Sequence, residues 1–456
     1  MLFFLIGLII SSDSDLDYHL HLYSINRLSD GGIIKIPFRL ADIDFKHQNS
    51  DIEVSSRISF EYKPKFSDFY LKSNSPQDFE IDFRELYLTW YFDNSEISIG
   101  KQIHTWGSVD QNSPLDNASP YDYYYIFSVG TEQKMGSFSG AYSYYLGNNT
   151  LGFVFSPIHH TNRLPIGDDD FPIELPVVPG AELIQNVDNE FEFGGYVKKT
   201  FNKGDVTLSY YKGNDRVYNL SGVNVFSNES ETIYSNIDTV FTYRQTDVVG
   251  LGVTFIENNF ALRFDYGMFY TKDPNLDVQR DRPDKQDGSF AASSWHHILA
   301  THAFREEAYY DQATLQIEFS NKTNNFILGL FDYNLKKYSA SYLNAIDIPG
   351  VEADVDPKDY FYPGLGAPLA ILADRALMYQ LQIQRDNNVM FSLKGVNDLN
   401  NSGFLTEFGI IKSISDDIKI HMYLNKVVGD DQQDDEYRFN QMEDFSHFRL
   451  ELEYFF

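Results

Sequence analysis

The chain closes with the stretch Phe445-Ser446-His447-Phe448-Arg449-Leu450-Glu451-Leu452-Glu453-Tyr454-Phe455-Phe456, which decides the fold. From Phe448 onward apolar and polar residues alternate, so every second side chain lies on the same side of an extended strand. The apolar face is Phe448, Leu450, Leu452, Tyr454 and Phe456, opposite Arg449, Glu451 and Glu453. An amphipathic strand that ends on aromatic residues is typical of a closed membrane barrel, whose last strand pairs with its first.

The same alternation recurs from residue 16 onward, in short runs separated by turn residues. In one such run Leu262, Phe264 and Met268 alternate with Arg263 and Asp265. We count about 18 runs of roughly 8–14 residues, with 16 as the alternative count, and a tilted strand of that length crosses a membrane.

Short and long connections alternate between these runs. The short ones are rich in Asn, Asp and Gly, which tolerate the positive φ angles of tight hairpins. They lie at 46–50, 93–95, 147–149, 202–204, 257–259, 321–325, 386–388 and 415–417. The others lie at 28–32, 64–78, 105–135, 158–189, 214–246, 271–309, 334–374, 398–402 and 429–444. This alternation predicts an all-β fold: a single transmembrane antiparallel β-barrel with short periplasmic turns and long extracellular loops.

Composition excludes several other classes. The chain has 456 residues, 32 Tyr and 38 Phe, and a mean hydropathy of −0.35. Past residue 10 it has no apolar run near the ~20 residues that a membrane helix needs. A soluble propeller or solenoid is the alternative, but the chain shows no internal repeat of suitable period.

A net charge of −30 argues against nucleic-acid partners. Cysteine is absent, which excludes disulfides and thiolate metal sites.

The first residues predict export. Residues 1–14 combine a short apolar core with small residues, as a secretory signal peptide does, although the usual basic start is missing. We therefore assign residues 15–456 to the barrel and expect it in the outer membrane of a Gram-negative-type bacterium. The terminal Phe resembles the C-terminal sorting signature of outer-membrane proteins. That resemblance implies contact with the barrel-assembly machinery, and the membrane location implies contact with lipid and lipopolysaccharide.

The polar face of each strand should line the lumen if the apolar face meets lipid. The strand patterns assign thirteen residues to this lining, with both signs of charge and several amides. They are Glu53, Arg57, Glu61, Arg263, Asp265, Gln380, Gln382, Gln384, Lys419, His421, Arg449, Glu451 and Glu453.

Two blocks between residues 84 and 165 carry a family resemblance. The first runs Arg84-Glu85-Leu86-Tyr87, then Gly100-Lys101-Gln102, Trp106-Gly107 with Asp110, and Ser119-Pro120-Tyr121-Asp122. The second runs Phe155-Ser156-Pro157, then Asn162-Arg163-Leu164-Pro165. Together they resemble a family of Gram-negative outer-membrane proteins of unknown function that is porin-like in fold. Lys101 and Ser119 depart from the family's Arg and Asn, and Lys lacks the planar fork of Arg. The resemblance implies a barrel in the outer membrane and no particular substrate.

The loop 105–135 is the candidate constriction. It begins near an amphipathic Trp and contains several tyrosines, so it either folds inward to contact solutes or packs on the rim within the interfacial aromatic belt. The candidate residues in and beside it are Trp106, Asp110, Asp116, Tyr121, Asp122 and Arg163.

These patterns predict a porin-like channel for passive or weakly selective passage of small solutes. The alternatives are a channel for hydrophobic compounds and a non-transporting barrel that serves as an adhesin or scaffold. No Gly-x-Ser-x-Gly or His-Glu-x-x-His motif is present, so we predict no enzymatic activity, no cofactor and no metal site. The sequence does not indicate an oligomeric state.

Overall fold

The computed structural model describes residues 14–63, 79–110, 112–126, 133–165, 183–226, 236–279, 298–344, 356–386 and 388–455. Residues 1–13 of the predicted signal peptide, the whole 64–78 connection and the terminal Phe456 lie outside the described residues, and Ser14, the last residue assigned to the signal peptide, begins β1.

Strands make up most of the described chain. They are β1 (Ser14–Arg27), β2 (Phe38–Asn49), β3 (Ile52–Tyr62), β4 (Phe79–Tyr91), β5 (Ser95–Gln102), β6 (Ser137–Leu146), β7 (Asn149–Ser156), β8 (Glu192–Phe201), β9 (Gly204–Asn214), β10 (Asn219–Phe226), β11 (Asn236–Thr242), β12 (Gln245–Glu257), β13 (Phe260–Lys272), β14 (Ile298–Ala303), β15 (Glu307–Ser320), β16 (Asn324–Ser339), β17 (Arg375–Asp386), β18 (Val389–Asp398), β19 (Phe404–Ser413), β20 (Ile418–Val428) and β21 (His447–Phe455).

Eighteen of these strands form one antiparallel sheet that closes on itself. Each strand pairs with the next one along the ring, and β21 returns to pair with β1 from Arg27–His447 to His19–Phe455. Closure leaves no free edge in the ring, as a spanning sheet requires. The predicted closed barrel of 18 strands is therefore confirmed.

The outer surface of the barrel is apolar. Leu450 and Leu452 of the last strand are 43% and 38% exposed, and Met268 of β13 is 56% exposed. Exposed Phe, Leu, Ile and Val side chains occur on most of the other strands of the ring. Such a band is unfavourable in water and matches the lipid-facing band of a membrane barrel. The chain is thus an outer-membrane type of β-barrel, as the sequence predicts.

The hairpins confirm the predicted parity of the connections. Two-residue turns such as Ser50–Asp51 and Asn258–Asn259 join β2 to β3 and β12 to β13. Ser50 and Asn258 adopt positive φ angles of 51° and 53°. We call the end with these hairpins the short-turn end, and the opposite end the long-loop end.

Two long connections contain strands that the sequence analysis treats as loop. β10, β11 and β14 form a separate three-stranded sheet in the order β11-β10-β14. β10 and β11 pair within the connection 214–246, for example at Val223–Thr239. β10 also pairs with β14 of the connection 271–309, for example at Val223–His302. Val223, Val225 and Phe304 form a small buried cluster beside it.

Helices are short and lie in the long connections. Single 3-10 turns occupy Tyr123–Tyr125, Pro357–Tyr360, Pro368–Ile371 and Glu443–Phe445, and an α-helical turn occupies Arg438–Gln441. In the described ranges, no helix has the length and apolar character needed to span a bilayer.

Candidate functional site

The described part of the connection between β5 and β6, residues 103–110, 112–126 and 133–136, folds into the barrel; we call it the inward loop. Its attachment is a carboxylate on the inner face of β13. Asp265 accepts hydrogen bonds from the Ser108 amide at 2.9 Å, the Val109 amide at 3.1 Å and the Ser113 hydroxyl at 2.7 Å. These hydrogen bonds hold this part of the loop inside the barrel.

A second contact joins the inward loop to β15. Gln316 accepts from the Asp110 amide at 3.1 Å and donates to the Asp110 carboxylate at 2.7 Å. Thr314 donates to the Asn112 carbonyl at 2.8 Å. Because β13 and β15 are not neighbours of β5 or β6 in the ring, the loop spans part of the lumen.

The inner wall beneath the loop carries glycine where a side chain would collide with it. A Cβ at Gly250 would lie 2.3 Å from Leu115, and one at Gly252 would lie 2.8 Å from the Ser108 hydroxyl. The same wall at Gly194 leaves room for the Trp106 ring. The glycines of β8 and β12 thus let the inward loop pack closely against the barrel wall.

The Trp-Gly motif forms the first turn of the loop. The amides of Trp106 and Gly107 both donate to Asp116 Oδ1, at 2.6 and 2.8 Å. Lys134 donates to the other oxygen of Asp116 at 2.6 Å. The Trp106 ring is buried between Tyr196 and Tyr211 at centroid distances of 5.8 and 6.2 Å. Trp106 is therefore a packing residue, and Asp116 joins the two ends of the loop.

The two sequence blocks that carry the resemblance meet at one buried ion-pair cluster. Asp122 accepts from Arg84 at 3.1 Å and from Arg163 at 3.2 Å, and Arg163 also donates to Glu61 at 2.7 Å. Burial opposes the charged form of Arg163, but the carboxylates of Asp122 and Glu61 raise its pKa above the ordinary value. The motif residues thus hold the inward loop against the barrel wall. The two sequence blocks therefore share a structural role in this protein.

A second loop, residues 356–374, also packs inside the long-loop end. Arg244 donates to the Tyr362 carbonyl at 2.6 Å while it pairs with Asp215 and Glu306, each at 2.7 Å. Burial opposes the charge on Arg244, and the two carboxylates raise its pKa. The sequence does not indicate this role of Arg244, because the pattern of β-strand alternation does not extend into long connections.

Two sizeable cavities border the inward loop in the described part of the barrel. The larger has a volume of about 720 Å³ and lies along β1–β3 and β19–β21. Eight predicted residues line it, namely Arg57, Asp110, Asp116, Tyr121, Gln382, His421, Glu451 and Glu453. The smaller, of about 320 Å³, lies along β15–β19 and has Asp110 and Gln380 in its wall. Asp110, Asn112 and Gln133 of the inward loop border both cavities.

Other predicted residues lie inside the barrel in paired positions. Glu53 contacts Lys46 at 3.0 Å, Arg263 contacts Glu318 at 2.6 Å, and Arg449 lies 3.8 Å from Glu407. Lys419 lies over the Phe455 ring at 4.2 Å. Gln384 is half-buried near the short-turn end and donates to the Asp386 carbonyl.

The larger cavity also contains residues that the sequence analysis did not select. His19, His21 and Tyr23 of β1 line it, together with Asp42 and Asp44 of β2. The sequence could have indicated the three β1 residues as lumen-facing, because they alternate with the apolar Tyr18, Leu20 and Leu22. In the described ranges, no group of three or more His, Asp or Glu side chains is arranged to hold a metal ion.

The chain matches no protein-family model and no curated protein. Solved porins are similar to it in architecture at low identity. A BenF-like porin from Pseudomonas fluorescens aligns over 97% of this chain and 98% of its own, at 10% identity and a TM-score of 0.49. Pseudomonas aeruginosa OccK2 (OpdF), solved in complex with glucuronate, aligns over 97% and 98% at 10% identity and a TM-score of 0.48. Acinetobacter baumannii OccAB3 aligns over 98% and 100% at 10% identity and a TM-score of 0.48.

Proposed function

We propose that this barrel is a porin-like outer-membrane channel for small polar solutes and that the inward loop is its constriction. The observation that carries the proposal is the attachment of this loop to Asp265 and Gln316 on the inner wall. A loop held across the lumen narrows it, and polar groups at the narrowing sort solutes by size, charge and hydrogen bonding.

The polar groups at the loop suit that role. Asp110 faces both cavities and contacts Arg263 at 2.9 Å, so opposite charges lie side by side at this position. The larger cavity adds Gln382 and Tyr121 as further hydrogen-bonding groups. The proposed channel lets solutes pass and has no enzymatic activity.

The smaller cavity favours the second candidate, a channel for compounds with an apolar part. Met378, Val396, Leu405 and Leu369 form much of its wall. Lys394 and Gln380 are polar groups in the same wall. An apolar surface with polar groups beside it is the usual character of a small-molecule binding pocket.

A liposome-swelling assay tests the proposal with the refolded protein and neutral sugars of increasing size. We expect swelling with the smallest sugars and a steep decline as size increases. The variant Asp265→Ala, which releases the loop, should admit larger sugars than the wild type, whereas Asp247→Ala on the outer side of β12 should not. Folded barrels that cause no swelling with any sugar would refute the channel.

The remaining contacts of the barrel are also part of the proposal. The apolar exterior is expected to contact lipid and lipopolysaccharide. The last strand, which closes the barrel against β1, is expected to engage the barrel-assembly machinery.

A further inference from the structure

We propose that the larger cavity makes the channel prefer cations, and that three histidines reduce this preference when they are protonated. This inference rests on the proposed channel function and specifies the class of solute. It concerns one face of the cavity, formed by His19, His21, His421, Asp42, Glu451 and Glu453, which we call the histidine–carboxylate wall.

The charges around the cavity are unbalanced. Its lining has three cationic side chains, Arg39, Arg57 and Lys134. Against them stand six carboxylates, namely Asp42, Asp44, Asp110, Asp116, Glu451 and Glu453. A cavity lined mainly by one sign of charge concentrates the opposite ion and raises its rate of passage.

The cationic side chains are already paired with carboxylates. Arg57 contacts Asp44 at 2.7 Å and Lys134 contacts Asp116 at 2.6 Å. Arg39 lies 3.9 Å from the buried Glu61, which is outside the cavity lining. Each of these three cations thus has a carboxylate partner outside the histidine–carboxylate wall.

Three carboxylates of the wall have imidazole or hydroxyl groups as their closest partners. Glu451 contacts His21 at 2.8 Å, and Glu453 contacts His421 at 2.9 Å. His19 lies 3.8 Å from Glu453, and Asp42 accepts from the hydroxyl of Ser59. The wall is negative whenever its imidazoles are neutral.

Imidazole is the side chain that ordinarily changes charge between about pH 5 and pH 8. Three protonated imidazoles would balance the three carboxylates of the wall, so the cation preference should fall as the pH falls. Other charged or titratable groups lie around the wall and do not reverse the sign, because their three cations and two carboxylates add less charge than the three carboxylates of the wall. They are Arg39 and Asp44 on β2, Tyr23 on β1, Glu407 on β19, Lys419 and Tyr423 on β20, and Arg449 on β21.

The test measures the reversal potential of the wild-type protein in planar bilayers under a KCl gradient. We expect K⁺ to be more permeant than Cl⁻ at about pH 8, and the permeability ratio to fall roughly two- to fivefold at about pH 5. Glu451→Gln and Glu453→Gln, singly and together, should lower the ratio at the higher pH. The variant His19→Gln, His21→Gln, His421→Gln should keep its cation preference at both pH values.

His302→Gln in β14, outside the barrel ring, is the matched control and should retain the wild-type pH response. Heat-modifiable migration on a gel establishes that each variant is folded. A conducting wild type with equal permeabilities, or with a preference for Cl⁻, overturns the inference and leaves the channel proposal standing. A pH response that survives replacement of the three histidines also overturns it. A folded wild type that passes no current overturns both proposals.

Discussion

Asp265 is the residue on which the position of the inward loop most depends. It is fully buried, and its carboxylate receives the Ser108 amide, the Val109 amide and the Ser113 hydroxyl. Replacement by Ala leaves three loop donors without their acceptor. A hydrogen bond to a charged group contributes about 1.5–3 kcal/mol. Three bonds that share one acceptor are not additive, so we expect the variant to weaken the attachment by about 3–5 kcal/mol.

Hydrogen exchange followed by mass spectrometry measures this effect in detergent micelles. A loss of about 3–5 kcal/mol corresponds to exchange that is faster by a factor between about 10² and about 4 × 10³. We expect this acceleration in peptides that cover residues 104–126, while peptides of the ring strands are little changed. Asp265→Asn retains one carbonyl acceptor and should lie between Ala and the wild type.

Asp247→Ala is the control for this experiment. Asp247 lies on the neighbouring strand β12 and contacts Lys212 and Tyr210, not the loop. It should leave exchange in the loop unchanged. If Asp265→Ala exchanges at the wild-type rate in the loop, the carboxylate does not anchor it and the reasoning is refuted.

Two further outcomes follow from buried charge and from strand facing. Arg244→Met leaves Asp215 and Glu306 buried without their cation and should destabilise the barrel by about 3–5 kcal/mol in urea unfolding. Arg375→Met, which removes a 59% exposed partner of Asp332, should cost under about 1 kcal/mol; equal losses would contradict this assignment. Because the natural chain has no cysteine, Glu453→Cys should react with a water-soluble thiol reagent in liposomes and Leu452→Cys should not. Reaction of both, or of Leu452→Cys alone, would contradict the facing of β21.

The barrel could be predicted because its strands and hairpins are determined by residues that are close together in the sequence. In β21, Leu450 and Leu452 alternate with Glu451 and Glu453, and a two-residue period alone separates the two faces. Hairpins such as Asn258–Asn259 depend on residues that tolerate positive φ, which also occur together in the sequence. A pattern of this kind needs no knowledge of distant residues.

The interior could be predicted only in part, because its contacts are distant in sequence. Ser108 and Asp265 are 157 positions apart, and no local pattern links them. Arg244 and Tyr362 are 118 positions apart. β10 and β14 belong to two different long connections, and the length of a connection does not indicate that it contains a strand. His19 and His21 followed the visible alternation of β1 and were missed only because that strand's facing was not assigned.

Single-channel recording of the refolded wild type beside Asp265→Ala tests the central claim most directly. The structure predicts discrete, long-lived current steps for the wild type and larger steps for the variant, because the inward loop limits the passage. Folded protein that gives no steps, or a variant with the same step size as the wild type, would contradict a channel constricted by this loop.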